Sequence, residues 1–171
     1  MNIVLCGMMG SGKTTTGIRI SELTGMRWYD TDDLITQKYG KISDIFEFYG
    51  EARFRELETE VVRSVAGEEN CVISTGGGCV LKPENSAVFK ESGGKIVFLK
   101  ASIETLFARA GHTGDERPLL KNTTFGHMKS LLDARTPVYV GCADVTVETD
   151  GKSVDEVARE VISACGVQVR A

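Results

Sequence analysis

The feature that most constrains this chain is a glycine-rich loop that directly follows its first apolar run. Residues 7–14 read GMMGSGKT and match the pattern G-x-x-x-x-G-K-[ST]. The apolar run Asn2–Cys6 is typical of a buried parallel strand, and a helix is predicted over Lys13–Thr24. In such a strand–loop–helix unit, the glycines and the helix N-terminus direct backbone N–H groups at one point, where an anion binds. The loop therefore predicts a phosphate site.

This loop supplies both a positive charge and a metal-binding oxygen for a nucleotide. We expect Lys13 to reach the β- and γ-phosphates, and the Thr14 hydroxyl to ligate Mg²⁺. A glycine-rich turn without a ligand is the alternative interpretation of the same residues. The residues expected around the phosphates are Gly10, Ser11, Gly12, Lys13, Thr14 and Thr15.

Short apolar runs alternate with helical segments along the chain, which predicts an α/β protein whose parallel sheet is covered on both faces. We expect Thr31 to cap a helix over Asp32–Tyr39, and a short helix followed by a long one within residues 43–67. A helix over Phe125–Arg135 is expected to stop before Pro137. We expect one domain over residues 1–171. The predicted strands are residues 2–6, 27–30, 71–78 (with a glycine triplet at its end), 95–101 and 144–149.

Composition excludes several classes of function. No run of about 18 uncharged apolar residues is present, so we expect no membrane span. The net charge of −4 and the lack of a basic tail argue against nucleic acid as a partner. The five cysteines form no C-x-x-C pair and the two histidines stand apart, so no zinc site is indicated. The N-terminus does not resemble a signal peptide, and we expect a cytoplasmic location.

Motifs and acidic residues that are absent from the sequence exclude some classes of phosphate-loop protein. The guanine-binding pattern N-K-x-D and the switch pattern D-x-x-G do not occur. The strands that end in VISTGGG and VFLKAS carry no terminal acid, although a bound Mg²⁺ needs a carboxylate nearby. Asp30 and Asp32, at the end of the second strand, are the candidates for the metal and for a general base. Alternatively, they cap and solvate the first turn of the next helix.

Three arginines and a glycine triplet are candidates for binding an anionic acceptor. Arg55 lies in a predicted helix, Arg117 precedes Pro118, and Arg135 precedes Thr136-Pro137. Guanidinium groups can hold a carboxylate or neutralise a phosphoryl group in transfer. Gly76–Gly78 would let a ligand approach the backbone closely. Surface arginines and a loose turn are the alternative interpretation.

These elements together resemble the shikimate kinase family, among the P-loop enzymes similar to nucleoside monophosphate kinases. The matching segments are GMMGSGKTTTG, WYDTDDLI, FRELE, VISTGGG, RPLL and ARTPVY…AD, in that order from Gly7 to Asp144. The resemblance implies a three-layer α/β/α kinase fold with sheet order 2-3-1-4-5. It also implies a substrate-binding segment at about residues 31–60 and a lid at about residues 110–123. The implied substrates are ATP and shikimate, with Mg²⁺ as cofactor.

The resemblance also implies roles for individual residues. Asp30 would lie near the metal with Thr14, and Asp32 would contact the shikimate hydroxyls as the base. Lys13, Asp32 and Arg117 would be catalytic, with Arg117 reaching the ATP phosphates from the lid. The shikimate carboxylate would be held by Arg55, Arg135, Gly76, Gly77 and Gly78.

The expected adenine pocket follows the family pattern less closely. Arg109 would stack on adenine, but it stands eight residues before Arg117, whereas one residue fewer is typical of the family. Lys152 matches only through its distance from the last strand, and GCAD replaces the usual residues before Ala-Asp. We expect a monomer that binds small molecules. The rivals are another small-metabolite kinase, such as a gluconate kinase, and a nucleotide-binding module without catalysis, although the latter should lack Lys13 or Asp32.

Overall fold

The computed structural model of this protein describes residues 1–110 and 124–171. Within these residues the sheet runs in the order β2-β3-β1-β4-β5, and every neighbouring pair is parallel. This is the order that the resemblance implies, and it places β1 at the centre. Loops that follow β1, β2 and β3 therefore meet at one edge of the sheet. The strands are β1 (Asn2–Cys6), β2 (Arg27–Asp30), β3 (Cys71–Ser74), β4 (Gly94–Lys100) and β5 (Val145–Glu148).

Helices connect the strands and cover both faces of the sheet. A 3₁₀ turn at Cys79–Leu81 lies between β3 and the next helix. The helices are α1 (Lys13–Thr24), α2 (Thr31–Tyr39), α3 (Ile42–Ala66), α4 (Pro83–Glu91), α5 (Ile103–Ala110), α6 (Phe125–Cys142) and α7 (Val154–Cys165).

The hydrophobic core has two layers because alternate residues of each strand face opposite sides. On one side, Val4 and Phe98 pack in a cluster with side chains of α3, α4 and α6. On the other side, Ile3 and Leu99 pack with α1 and α7. All of β1 is buried, as expected for a central strand of a parallel sheet. The predicted three-layer α/β/α arrangement is confirmed.

The region between β2 and β3 forms a smaller helical unit. Residues 42–66 are helical except at Gly50, whose φ of 83° breaks the run into a short helix and a long one, as predicted. Phe54 and Leu57 pack with Ile35 of α2 in a separate small cluster. This cluster holds α2 against α3 and orients the face of α3 that carries Arg55.

Two helix predictions were wrong, and β3 ends at Ser74 although the third strand was predicted over residues 71–78. The cap of α2 is Asp30 rather than Thr31, since the Asp30 carboxylate accepts hydrogen bonds from the backbone of Asp32 and Asp33. Thr31 is fully buried as the first residue of the helix. The second error concerns Pro137, which lies inside α6 and does not end it. Proline removes one helical hydrogen bond, but Tyr139, which is fully buried two residues later, anchors the rest of the helix in the core.

Among residues 1–110 and 124–171, no helix has the length and apolar content needed to cross a bilayer. All five cysteines are free thiols, and four are buried, as expected of small apolar core residues. Cys142 at the end of α6 is only partly buried.

Candidate active site

The phosphate-binding loop lies between β1 and α1 and depends on glycine at both ends. Gly7 has a φ of 146°, and a Cβ there would lie 2.7 Å from the Leu99 carbonyl oxygen. Gly12 has a φ of 91° and caps α1 in the left-handed conformation. Side chains rarely tolerate either backbone geometry. The glycines therefore shape the loop, and α1 begins at Lys13 with its N-terminus directed toward the loop.

Lys13 lies inside this loop. Its ammonium group donates hydrogen bonds to the carbonyl oxygens of Gly7, at 2.5 Å, and Met8, at 3.1 Å. The residue is only 9% exposed. The backbone N–H of Ser11 closes the loop by donating to the Met8 oxygen at 3.1 Å. The loop thus concentrates positive charge where the phosphates are expected.

Thr14 and Asp30 come together at the edge of this loop. The Thr14 hydroxyl donates to Asp30 Oδ2 at 3.0 Å, while Asp30 Oδ1 accepts from the Asp32 backbone at 2.9 Å. A hydroxyl and a carboxylate are ligands that suit Mg²⁺, which usually takes its remaining oxygens from water and substrate phosphates. The described residues hold no cluster of three His, Cys, Asp or Glu side chains for a metal. The pair therefore fits a nucleotide-bound Mg²⁺ and does not form a cage for the metal by itself.

Asp32 occupies the first turn of α2 and is partly buried, with Oδ1 shielded from solvent. The N-terminus of a helix stabilises a carboxylate. Because Asp32 follows the capping residue by two positions, it lies at the same edge of the sheet as the phosphate-binding loop. This placement agrees with a role at the acceptor.

Arg55 packs directly against the backbone of the glycine triplet. A Cβ at Gly78 would lie 2.4 Å from Arg55 Nη2 and 2.6 Å from Nη1. The same guanidinium forms an ion pair with Glu58 at 2.9 Å and a longer one with Glu51 at 3.4 Å. Glu58 is only 1% exposed, so this partner is fixed in the protein interior. Arg55 and Gly78 therefore lie side by side, and binding of an acceptor by these residues stays a prediction.

Glu58 connects the two arginines that were predicted to bind the acceptor. Burial raises the pKa of the Glu58 carboxyl group, while the nearby charges of Arg55, Arg135 and Lys82 lower it. Arg135 comes from α6 and is only 8% exposed, with Nη1 4.0 Å from the sulfur of Met8 in the phosphate-binding loop. The structure therefore gathers two guanidinium groups around one buried carboxylate, beside the phosphate site.

The glycine triplet is held by neighbouring side chains. The Gly76 N–H donates to the Thr31 hydroxyl at 3.1 Å, and the Gly77 carbonyl accepts from the Tyr139 hydroxyl at 2.5 Å. The Gly76 N–H is thus engaged within the protein.

The residues expected at the adenine ring are less closely assembled. Arg109, at the end of α5, donates to the Gly10 carbonyl at 3.2 Å and so lies against the phosphate-binding loop. Lys152 follows β5 and forms an ion pair with Glu160 of α7 at 2.7 Å. Arg117 lies outside the described residues. Stacking of Arg109 on adenine and a contact from Lys152 stay predictions.

Sequence reasoning did not assign a role to three residues that the fold places here. Glu58 stood in the FRELE segment only as part of a pattern. Thr31 is a helix-cap candidate by residue type, and Tyr139 lies in the ARTPVY segment. The pairing of Glu58 with Arg55 could have been predicted from the sequence, because an acid three residues after an arginine in a helix can form an ion pair with it. Contacts of Thr31 and Tyr139 with the glycine triplet join distant parts of the chain and had no local signal.

Comparison with known proteins agrees with this geometry. A model of the shikimate kinase family matches residues 9–166. A shikimate kinase from Geobacter sulfurreducens is 45% identical over 163 residues, covering 94% of this chain and 88% of that protein. Another from Caldicellulosiruptor bescii is 44% identical over 164 residues, covering 95% and 94%.

The fold comparison gives the same result. A structure of shikimate kinase from Acinetobacter baumannii in complex with shikimate superposes with a TM-score of 0.90 and 34% identity, covering 96% of this chain and 92% of that one. The match extends beyond the phosphate-binding loop, which many unrelated enzymes share, to the whole sheet and its helices. The chain belongs to the shikimate kinase family.

Proposed function

We propose that this chain transfers the γ-phosphoryl group of ATP to the 3-hydroxyl group of shikimate, giving shikimate 3-phosphate and ADP. The reaction would serve the biosynthesis of chorismate and the aromatic amino acids. Membership of the shikimate kinase family supports an ATP-dependent kinase that acts on shikimate.

The observation that carries the proposal is the placement of two guanidinium groups near the buried Glu58 carboxylate, with Arg55 against Gly78 and Arg135 against the phosphate-binding loop. Shikimate bears one carboxylate, and guanidinium groups bind carboxylates with strong, charge-assisted hydrogen bonds. Arg55 contacts Gly78, and Arg135 contacts the phosphate-binding loop. A carboxylate held between them would place the rest of a small acceptor beside the phosphates. Since the Gly76 N–H donates to Thr31, the amides of Gly77 and Gly78 are the ones proposed to face the acceptor.

In the proposed reaction, Asp32 accepts the proton of the attacking hydroxyl group. The hydroxyl oxygen forms a bond to the γ-phosphorus as the bond to the β-phosphate oxygen breaks, and ADP leaves. Lys13 and Arg117 neutralise charge on the transferring group, while Arg109 and Lys152 contact adenine. Alignment and charge neutralisation account for most of the catalysis in phosphoryl transfer.

Thr14 and Asp30 are the residues proposed to hold Mg²⁺. Neutralisation of the phosphate oxygens is the chemistry that a bound Mg²⁺ supplies. The Thr14–Asp30 hydrogen bond already aligns a hydroxyl and a carboxylate oxygen at the mouth of the loop.

The remaining features of the proposal concern the context of the enzyme. We propose a monomeric cytoplasmic protein of one domain, with substrate-binding segment at about residues 31–60 and lid at about residues 110–123. No nucleic acid or membrane is required for the reaction. The net charge of −4 is consistent with small anionic substrates bound in a local basic pocket and not by the surface as a whole.

The test is an assay of ADP formation with Mg-ATP and, in parallel, shikimate, gluconate or a nucleoside monophosphate. We expect ADP formation to depend on shikimate. Turnover without shikimate, or with gluconate in its place, would refute the assignment and favour another kinase of this fold.

Two substitutions with matched controls test the site. Asp32→Asn and Arg55→Ala should each abolish shikimate-dependent turnover. Their controls are Asp33→Asn, in the same turn of α2, and Arg53→Ala, an exposed arginine on α3 that pairs with Glu56 at 2.9 Å. Both controls should retain wild-type rates. Equal losses in a variant and its control would point to general damage of α2 or α3.

A further inference from the structure

Each residue of the glycine triplet Gly76–Gly78 is contacted by a side chain from another part of the chain. Thr31 accepts a hydrogen bond from the Gly76 N–H at 3.1 Å, Tyr139 donates to the Gly77 carbonyl at 2.5 Å, and the Arg55 guanidinium lies on Gly78. Glycines without such restraints sample a wide range of backbone angles. The Gly77 carbonyl belongs to the same peptide group as the Gly78 N–H, so the hydrogen bond from Tyr139 orients the peptide that presents the Gly78 amide.

Tyr139 is held rigidly enough to act as a support for this backbone. The residue is fully buried. Its ring stacks on Phe98 with centroids 5.1 Å apart. Phe98 belongs to β4 and pairs in register with Cys6, the last residue before the phosphate-binding loop. The position of the Tyr139 hydroxyl is therefore set by the central strands of the sheet.

The same helix carries Arg135, four residues before Tyr139. Residues four apart lie on one face of a helix, separated by one turn. Arg135 is 8% exposed and contacts Met8, while Tyr139 contacts Gly77. Both side chains of this face thus point to the acceptor region, although only Arg135 carries a charge.

We propose that Tyr139 is a positioning residue for the acceptor site. Its hydroxyl ties α6 to the glycine triplet and so sets the separation between the Arg135 guanidinium and the backbone at Gly77 and Gly78. The inference rests on the proposed function, because it concerns the binding of the acceptor carboxylate. Removal of the hydroxyl leaves a buried carbonyl without this donor and frees the peptide to rotate. Affinity for the acceptor falls, while the nucleotide side, held by α1, keeps its geometry.

The first test is Tyr139→Phe, which removes one oxygen atom and keeps the ring on Phe98. We expect the KM for shikimate and its Kd, measured by titration calorimetry, to rise about 2- to 13-fold, the range that corresponds to the net contribution of one hydrogen bond. The KM for ATP should stay within about twofold of wild type. The matched control is Tyr29→Phe, whose hydroxyl is 3.4 Å from Glu68 Oε2, and both constants should be unchanged in it.

A second variant tests the inference in case the Tyr139→Phe protein does not fold. Thr31→Val removes the acceptor for the Gly76 N–H at nearly constant volume and should also raise the Kd for shikimate selectively. Unchanged shikimate affinity in a folded Tyr139→Phe protein would overturn the inference. Equal rises in the KM values for shikimate and ATP would also overturn it, since they would indicate a purely structural role. If Tyr139→Phe does not fold, an unchanged shikimate Kd in Thr31→Val overturns it.

Failure of the proposed function itself is seen separately. It would appear as absent shikimate phosphorylation by the wild-type protein, before any variant is compared.

Discussion

Gly78→Ala offers the sharpest test of the acceptor site, because the structure gives the collision that follows. The added Cβ would lie 2.4, 2.6 and 2.7 Å from Nη2, Nη1 and Cζ of Arg55, and these are its three nearest atoms. Ordinary contacts begin at 3.4 Å, so the guanidinium must retreat by about 1 Å. Gly78 has a φ of −99° and a ψ of 2°, outside the left-handed region and in the range of the third residue of a type I turn, which alanine can adopt. The substitution therefore acts on Arg55 and leaves the backbone conformation unstrained.

The expected size of the effect follows from the bonds that Arg55 makes. A hydrogen bond to a charged group contributes about 1.5–3 kcal/mol. Loss of one such bond to the acceptor carboxylate raises the KM for shikimate about 10- to 150-fold. The KM for ATP should hardly change, because the three atoms nearest to this Cβ all belong to Arg55 and none to the phosphate-binding loop. Initial rates at varied shikimate and fixed Mg-ATP measure the effect.

Two further measurements make this prediction refutable. Gly141→Ala in α6, where nothing lies within 4 Å of the added Cβ, should leave both KM values unchanged. In thermal unfolding, any cost of Gly78→Ala should disappear in an Arg55→Ala background, because the atoms that collide have been removed. A KM for shikimate within twofold of wild type, or a cost that persists without the Arg55 side chain, would refute the reasoning.

Two other predictions concern the metal and the thiols. Asp30→Asn keeps an oxygen that can cap α2 but loses the negative charge, so the Mg²⁺ concentration for half-maximal rate should rise about tenfold, whereas Asp33→Asn should leave it unchanged. A hydrogen bond from the Cys6 thiol lowers the pKa of Cys142 to about 7, with burial opposing and Lys90 assisting. Alkylation of the native protein by iodoacetamide, followed by peptide mass spectrometry, should therefore rise through pH 7 at Cys142. An Mg²⁺ requirement equal in both aspartate variants would contradict the first prediction.

The thiol prediction has its own control. The pKa values of the other four cysteines are raised, chiefly by burial at Cys71, Cys79 and Cys165 and by the hydrogen bond to Cys142 at Cys6. These thiols should react slowly at neutral pH. Because a lowered pKa means that thiolate is present at lower pH, Cys6→Ala should move the alkylation midpoint of Cys142 upward. A midpoint that does not move would show that Cys6 is not the cause.

Several elements could be predicted from a few neighbouring residues each. The phosphate-binding loop and the helix that begins at Lys13 follow from glycine and helix-capping chemistry within a few residues, and a short helix followed by a long one was predicted within residues 43–67. The alternation of apolar runs with helical segments was sufficient for a parallel sheet covered on both faces. The arginines and the glycine triplet indicated an anionic acceptor, whereas the strand order and the identity of that acceptor were expected only through the resemblance to a family.

The local errors arose where tertiary contacts override propensity. Thr31 and Asp30 are both good helix caps by residue type. The position at which β2 ends determines which of them caps α2. Because Asp30 ends that strand in register with Ser74, its carboxylate lies over the start of α2. Pro137 is a helix breaker in isolation, but burial of Tyr139 offsets the lost hydrogen bond.

The sequence by itself indicated a phosphate site and the order of strands and helices, because these depend on neighbours along the chain, but it misplaced the start of α2, the end of α6 and the end of β3. The tertiary structure alone decided which side chains meet around the glycine triplet. Thr31, Arg55 and Tyr139 come from three different helices, 84 residues separate Arg55 from Tyr139, and no periodicity encodes their contact. Parallel strands bring the ends of β1, β2 and β3 to one edge, and packing of α3 and α6 onto the sheet delivers the two arginines to it. The proposed acceptor site therefore depends on the topology of the fold.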